Sequence, residues 1–239
     1  MKTRSWCFLA LAACCAPAAA EAGVVRGVLR PPAVVVSAPA PRSSYPGSLH
    51  ALPGAHDHAG PRVSEAVISI EGLPAPAESM LARPAAMPRL AQQNQSFVPH
   101  VLAVSVGTTV DFPNFDPIFH NVFSVSPGKR FDLGKYPRGQ SRRVRFDRAG
   151  VVQVYCDIHS NMAAFIVVLP SRAFTQPDDA GAFALPALPA GEYTLRVWHP
   201  DYPPLARKIR VPERAELTLD LGYDGASGAR SVAESRERE

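Results

Sequence analysis

The chain has 239 residues, enough for one large or two small domains with proper cores. Its 25 basic and 21 acidic residues leave a formal charge of +4. That is no argument for nucleic-acid binding, and no basic motif interleaved with aromatics supplies one.

Lys2 and Arg4 precede an apolar run from Trp6 to Ala13, and Ala18-Ala19-Ala20 offers an A-x-A cleavage site. Residues 1–20 therefore read as an export signal, which makes the mature protein periplasmic or secreted. The apolar run is too short to span a bilayer, and no later stretch approaches about 20 apolar residues. Leu11-Ala12-Ala13-Cys14 also fits a lipoprotein box, in which Cys14 would carry a lipid anchor. Both readings of the leader stay open. Cleavage after Ala20 removes two of the 25 basic residues and none of the 21 acidic ones, which lowers the charge to +2. It also removes Cys7, Cys14 and Cys15 and leaves Cys156 alone. In an oxidising compartment a lone cysteine cannot close an internal disulfide. It is either a small buried apolar residue or a metal thiolate.

Residues 23–29 alternate as a short strand. Residues 30–62 are rich in Pro, Ala, Gly and Ser and are expected to form a long surface loop or a disordered insert. His50, His56 and His58 fall in it; His56-Asp57-His58 is either a solvated loop or an adventitious divalent-metal pair. A strand at 66–70 follows, then a second Pro- and Ala-rich stretch to Arg89. Strand signals closed by turn residues come next, at 101–106, 110–112, 120–125, 141–146, 151–155 and 163–169. No window of helical period competes with them. The pattern predicts an all-β chain whose first unit, residues 21–169, is an antiparallel β-sandwich. Basic residues concentrate between Lys129 and Arg148, either as a solvated strand face or as a docking surface for an acidic partner. After Pro170, strands at 181–185, 193–198, 205–211 and 215–221 predict a smaller β-sandwich over 170–222 that the first unit should not need. The charged tail, 223–239, is expected to fray.

The chemistry concentrates between the strands at 151–155 and 163–169. Cys156, His159 and Met162 are spaced C-x-x-H-x-x-M, and His120 offers a second imidazole upstream. Two His, one Cys and a distant Met are the ligand set of a blue-copper electron-transfer centre, with a trigonal N₂S plane and a weak axial thioether. Period-two alternation puts Cys156 on the face of Val152 and Val154, so its sulfur should aim inward. Four ligands leave no open position for substrate, and no Ser/His/Asp or H-E-x-x-H arrangement appears. The chain is therefore not expected to be an enzyme. His100 and His199 read as structural.

Three stretches carry a resemblance: Asp111-Phe112-Pro113-Asn114, Phe119-His120-Asn121-Val122-Phe123-Ser124, and Tyr155-Cys156-Asp157-Ile158-His159-Ser160-Asn161-Met162. Together they resemble the cupredoxin family, and the short loop from His159 to Met162 is similar to its amicyanin-like branch. Residues 95–102, Gln-Ser-Phe-Val-Pro-His-Val-Leu, resemble the cupredoxin-containing methylamine-utilisation proteins. The likeness implies a Greek-key sandwich with one type 1 copper on His120, Cys156, His159 and Met162. It makes Asn121 a supporting residue that ties the His-bearing loop to the Cys-bearing loop, and the His159 edge the exposed one. Implied partners are redox proteins of cytochrome or dehydrogenase type. Gly181-Ala182-Phe183-Ala184-Leu185 and residues 188–196 resemble a carboxypeptidase-regulatory-like (transthyretin-like) sandwich, which reports a fold and little about activity. Two other functions use the same residues: copper binding for delivery, and an interaction module in which copper only stabilises its neighbour.

Overall fold

A computed structural model describes residues 22–32, 61–223 and 229–232. The expected signal, the Cys14 box, most of the Pro-rich insert with His50, His56 and His58, and most of the tail lie outside them. Among the described residues no helix is long and apolar enough to cross a membrane.

The protein is all-β, as expected, and its strands enclose two separate cores. One sheet of the first sandwich runs in the order Val101–Ser105, Ala163–Leu169, Gly150–Tyr155, His120–Ser126, Lys129–Tyr136. Opposite it lie the pair Thr108–Pro113 with Ser141–Phe146 and the hairpin Ala91–Gln93 with Ser96–Val98. Alternation explains the core. In Gly150–Tyr155 the inward residues Val152 and Val154 are fully buried, and Cys156 continues that face at 4% exposure. Phe112, Val122, Tyr136, Phe146 and Ile166 close the same core.

The second sandwich corrects the expected boundary at 169/170. Strand Ala22–Arg30 pairs in parallel with Glu216–Gly222 and antiparallel with Ala182–Ala184 and Leu188–Pro189. Strand Val67–Glu71 lies between Phe174–Thr175 and Gly191–Trp198, with Leu205–Val211 beyond. The two strands assigned by sequence to the first unit thus belong to the second, and the first sandwich is an insertion between Val67–Glu71 and Phe174–Thr175. Period-two burial drives this: Val25, Leu29, Ile68 and Ile70 have their core among Leu195, Ile209, Leu219 and Leu221. The tail also differs in part from expectation, since Ala229–Val232 adds a strand beside Glu216–Gly222.

The chain leaves the second sandwich through a helix, Ala75–Met80, and returns through Ser171 and Arg172. These crossings are tied together. The Glu78 carboxylate accepts hydrogen bonds from Ser171 Oγ at 2.5 Å, Arg172 N at 2.9 Å and Arg172 Nε at 3.1 Å. A small apolar seam of Val67, Val101 and Val167, flanked by Phe165 and Trp198, packs the sandwiches together.

Candidate metal centre

Strand Gly150–Tyr155 and strand Ala163–Leu169 are neighbours whose last pair is Tyr155 with Ala163. The seven residues between them form a tight loop, closed by Met162 N donating to His159 O at 3.0 Å and Cys156 N to Met162 O at 3.3 Å. His120 opens the adjacent strand. Three side chains named from sequence meet there. His159 Nδ1 lies 3.1 Å from His120 Nδ1, and Cys156 Sγ lies 3.8 Å from His120 Nδ1 and 3.9 Å from His159 Nδ1. Met162, the expected axial ligand, is buried in the same core as Cys156. His120 is fully buried, whereas His159 is half-buried.

These separations bear on whether the three atoms could share one ion. An ion about 2.0 Å from each nitrogen and about 2.3 Å from the sulfur would hold nitrogen and sulfur about 3.5 Å apart in a tetrahedron and about 3.7 Å apart in a trigonal plane. The observed nitrogen–sulfur distances, 3.8 and 3.9 Å, are slightly longer than both values and the nitrogen–nitrogen distance, 3.1 Å, is slightly shorter than either geometry needs, so the three atoms suit one shared ion without selecting its geometry. His120, Cys156 and His159 are therefore close enough together to hold one ion.

The loop before His120 supplies residues that the sequence reading missed. Asn114, fully buried, donates from Nδ2 to the carbonyls of Ile118 at 2.9 Å and Tyr136 at 3.0 Å, and its Oδ1 accepts from Asp116 N at 2.9 Å. Asp116 Oδ2 then accepts from His120 Nε2 at 2.8 Å. Burial works to raise the Asp116 pKa, but hydrogen bonds from Gln95, His120 and Asn94 outweigh it and hold the carboxyl below its ordinary value. The available signal was local: an Asn-x-Asp turn whose Asp stands four residues before the ligand His.

Asn121 is placed differently from expectation. Its Nδ2 donates to Asp132 Oδ1 on the next strand at 2.7 Å, not to the Cys-bearing loop, and its buried Oδ1 has no hydrogen-bond partner among the described residues. The link from this side to the ligand loop is instead an exposed ion pair, Lys135 to Asp157 at 3.9 Å.

His100 and His199, read from the sequence as structural, are held by contacts within the fold. His100 Nδ1 lies 3.1 Å from Glu65 Oε2, and its ring meets the Phe165 edge. A second group of metal-type side chains, Glu65, His199 and Asp201, gathers near the junction of the sandwiches. Both His199 nitrogens are already engaged there, Nε2 donating to Arg62 O at 2.8 Å and Nδ1 accepting from Asp201 N at 3.0 Å. Its ring stacks on Tyr202, and burial pushes its pKa down. Part of the basic run forms struts: Arg143 reaches Asp111, while Arg145 and Lys129 both reach Asp147.

No protein-family model matches the sequence, and no curated protein does. Solved structures do. The chain is similar to a purple cupredoxin from Nitrosopumilus maritimus at 25% identity and a TM-score of 0.31, over 34% of this chain and 98% of that one. It is similar to the copper-containing nitrite reductase of Thermus scotoductus SA-01 at 27% identity and 0.34, over 39% of this chain but only 26% of that one. A point mutant of amicyanin in its reduced Cu(I) form aligns at 22% identity and 0.33, over 42% and 97%. None of these three is a transthyretin-like protein.

Proposed function

We propose that the protein binds one copper ion as a type 1 centre and carries single electrons between extracytoplasmic redox partners of cytochrome or dehydrogenase type. The observation that carries this is the convergence of two imidazole nitrogens and one thiol sulfur within 4 Å of one another. His120, Cys156 and His159 would hold the ion, and the Met162 thioether, buried in the same core, would complete the set. Copper, when bound, supplies a one-electron couple. The thiolate and thioether favour its reduced state and the imidazoles its oxidised state, so both are accommodated by one ligand set.

The chain's own part is to hold that set still and dry. Cys156 and Met162 are pinned by the two backbone hydrogen bonds that close their loop, and His120 is fixed at a strand start. Little has to move when charge changes, which keeps single-electron exchange fast. His159 alone among the four reaches partway to solvent. The two loops that carry the site also expose Phe115, Ile118, Phe119 and Ile158. Such an apolar rim suits a small, transient docking face, on which the His159 edge is the electron port. Four ligands leave no place for substrate, so catalysis at the metal is not part of the proposal.

The test is an absorption and EPR spectrum after Cu(II) loading. An intense visible sulfur-to-copper band at one copper per chain is expected. A colourless protein, with only the weak absorption of nitrogen- and oxygen-bound Cu(II), would overturn the reading. Rapid loss of copper to a mild chelator would favour delivery over electron transfer.

A further inference from the structure

The most completely built arrangement outside the ligands is the pocket around Asp116. Residues Ala91–Gln93 and Ser96–Val98 form a hairpin whose two turn residues, Asn94 and Gln95, both have positive φ, +54° and +55°. A two-residue turn of this kind favours Asn-Gly. Gln in the second position accepts a left-handed conformation that Gly, Asn and Asp adopt far more readily. What the turn gains is visible in its amides. Asn94 N donates to Asp116 Oδ1 at 2.6 Å and Gln95 N to Asp116 Oδ2 at 2.8 Å. Successive N–H groups turned to one side in this way make an anion-binding nest. The anion here is a side chain, Asp116, only 5% exposed, and its Oδ2 also accepts from His120 Nε2.

We propose that Asp116 is a positioning residue of the metal centre, held by the hairpin turn so as to keep the proton of His120 on Nε2 and the lone pair of Nδ1 aimed at Cys156 and His159. The consequence, resting on the copper reading above, is electronic as well as geometric. A carboxylate that accepts from the far side of a ligating imidazole fixes its tautomer and raises its basicity. A stronger donor stabilises Cu(II) more than Cu(I), so Asp116 lowers the reduction potential. The route of control runs from an exposed turn through one buried carboxylate to the buried ligand, without touching the metal.

Two measurements decide it. In the metal-free wild-type protein, nitrogen-15 NMR of His120 is expected to show the Nε2–H tautomer with an exchange-protected proton. The Nδ1–H tautomer would overturn the proposal. This arm needs neither copper nor a variant, so it remains decisive if the loaded protein is not blue or if a substitution fails to fold. In the copper-loaded protein, Asp116→Asn should keep the visible band and shift the Cu(II)-to-Cu(I) binding ratio at least tenfold towards Cu(I). For a one-electron couple that is a rise of about 59 mV. Asp157→Asn, which removes a carboxylate beside Cys156 without touching His120, is the control for charge alone and should shift the potential less. An equal or larger shift in Asp157→Asn would reduce Asp116 to one charge among several and sink the positioning role.

Discussion

Glu78 is the point at which the two connections between the sandwiches are locked, and replacing it should loosen both. Its carboxylate receives Ser171 Oγ, Arg172 N and Arg172 Nε, while the Arg172 guanidinium also donates to Glu78 O. Burial opposes the charge, but the bonds from Ser171 and Arg172 prevail and hold the carboxyl below its ordinary 4.5. Glu78→Gln keeps the shape and one acceptor oxygen but turns all three charge-assisted bonds to its side chain into weaker contacts. Bonds to a charged group are worth about 1.5–3 kcal/mol and roughly twice a neutral one, so the loss is about 2 kcal/mol. For a protein of this size that corresponds to a fall in Tm of about 4–8 °C. The pH dependence has a definite sign. A depressed carboxyl contributes fully above its unfolded pKa and loses the contribution as pH falls through the lower folded value. The gap between wild type and Glu78→Gln should therefore be full at pH 7 and close towards pH 3. Urea unfolding of both proteins across that range checks it, with hydrogen exchange at residues 75–81 and 170–173 reporting where the loosening occurs. A gap that stays constant down to pH 3 would show that the ionised carboxylate is not what ties the crossings.

Cys156→Ser should abolish the visible band of the copper-loaded protein, whereas Met162→Leu should keep it and raise the potential, because the thiolate makes the transition and the thioether only tunes it; an unchanged potential would remove Met162 from the ligand set. Deleting residues 173–221 should leave Ala22–Arg30 and Val67–Glu71 without their ladder partners and give an aggregating protein, while a fragment of residues 84–170 should fold and turn blue, as solubility and spectra of the two would show. Arg138→Glu, at an exposed position outside the Asp111 and Asp147 struts, should weaken the salt dependence of electron transfer to an acidic partner and leave the copper spectrum alone; stopped-flow rates indifferent to both salt and charge would assign the basic run to structure only.

What could be read from the sequence is what depends on local period. Strand Ser141–Phe146 and strand Ala163–Leu169 were placed to the residue, because alternation and flanking turn residues mark them without reference to any partner. The three converging side chains were legible for the same reason: two of them share one loop, and the third starts a strand whose neighbours are apolar. Strand Lys129–Tyr136 was not recognised. It is a sheet edge, and its charged residues make the alternation look like a basic face. Asn121 shows the limit of carrying over a role by resemblance, since its amide found the nearer acceptor Asp132.

The domain boundary failed for a different physical reason, and one residue shows it. Ala22–Arg30 reads correctly as a strand, but a strand's period does not name its partners, which lie more than 150 residues away. Gly27 carried the missing information. It stands on the inward face between Val25 and Leu29, and a Cβ there would come 2.3 Å from Leu219 O and 2.7 Å from the Phe183 ring. A glycine inside a strand marks close approach of another backbone or a large side chain. Here both belong to the C-terminal half, so the space left at Gly27 is filled by the sandwich the strand joins. The inserted sandwich is consequently anchored at both ends, through the Glu78 crossing and the Val67–Val101–Val167 seam. The metal loop at Cys156–Met162 is an internal loop of that insert rather than a chain end, so its geometry is set by the hairpin that carries it.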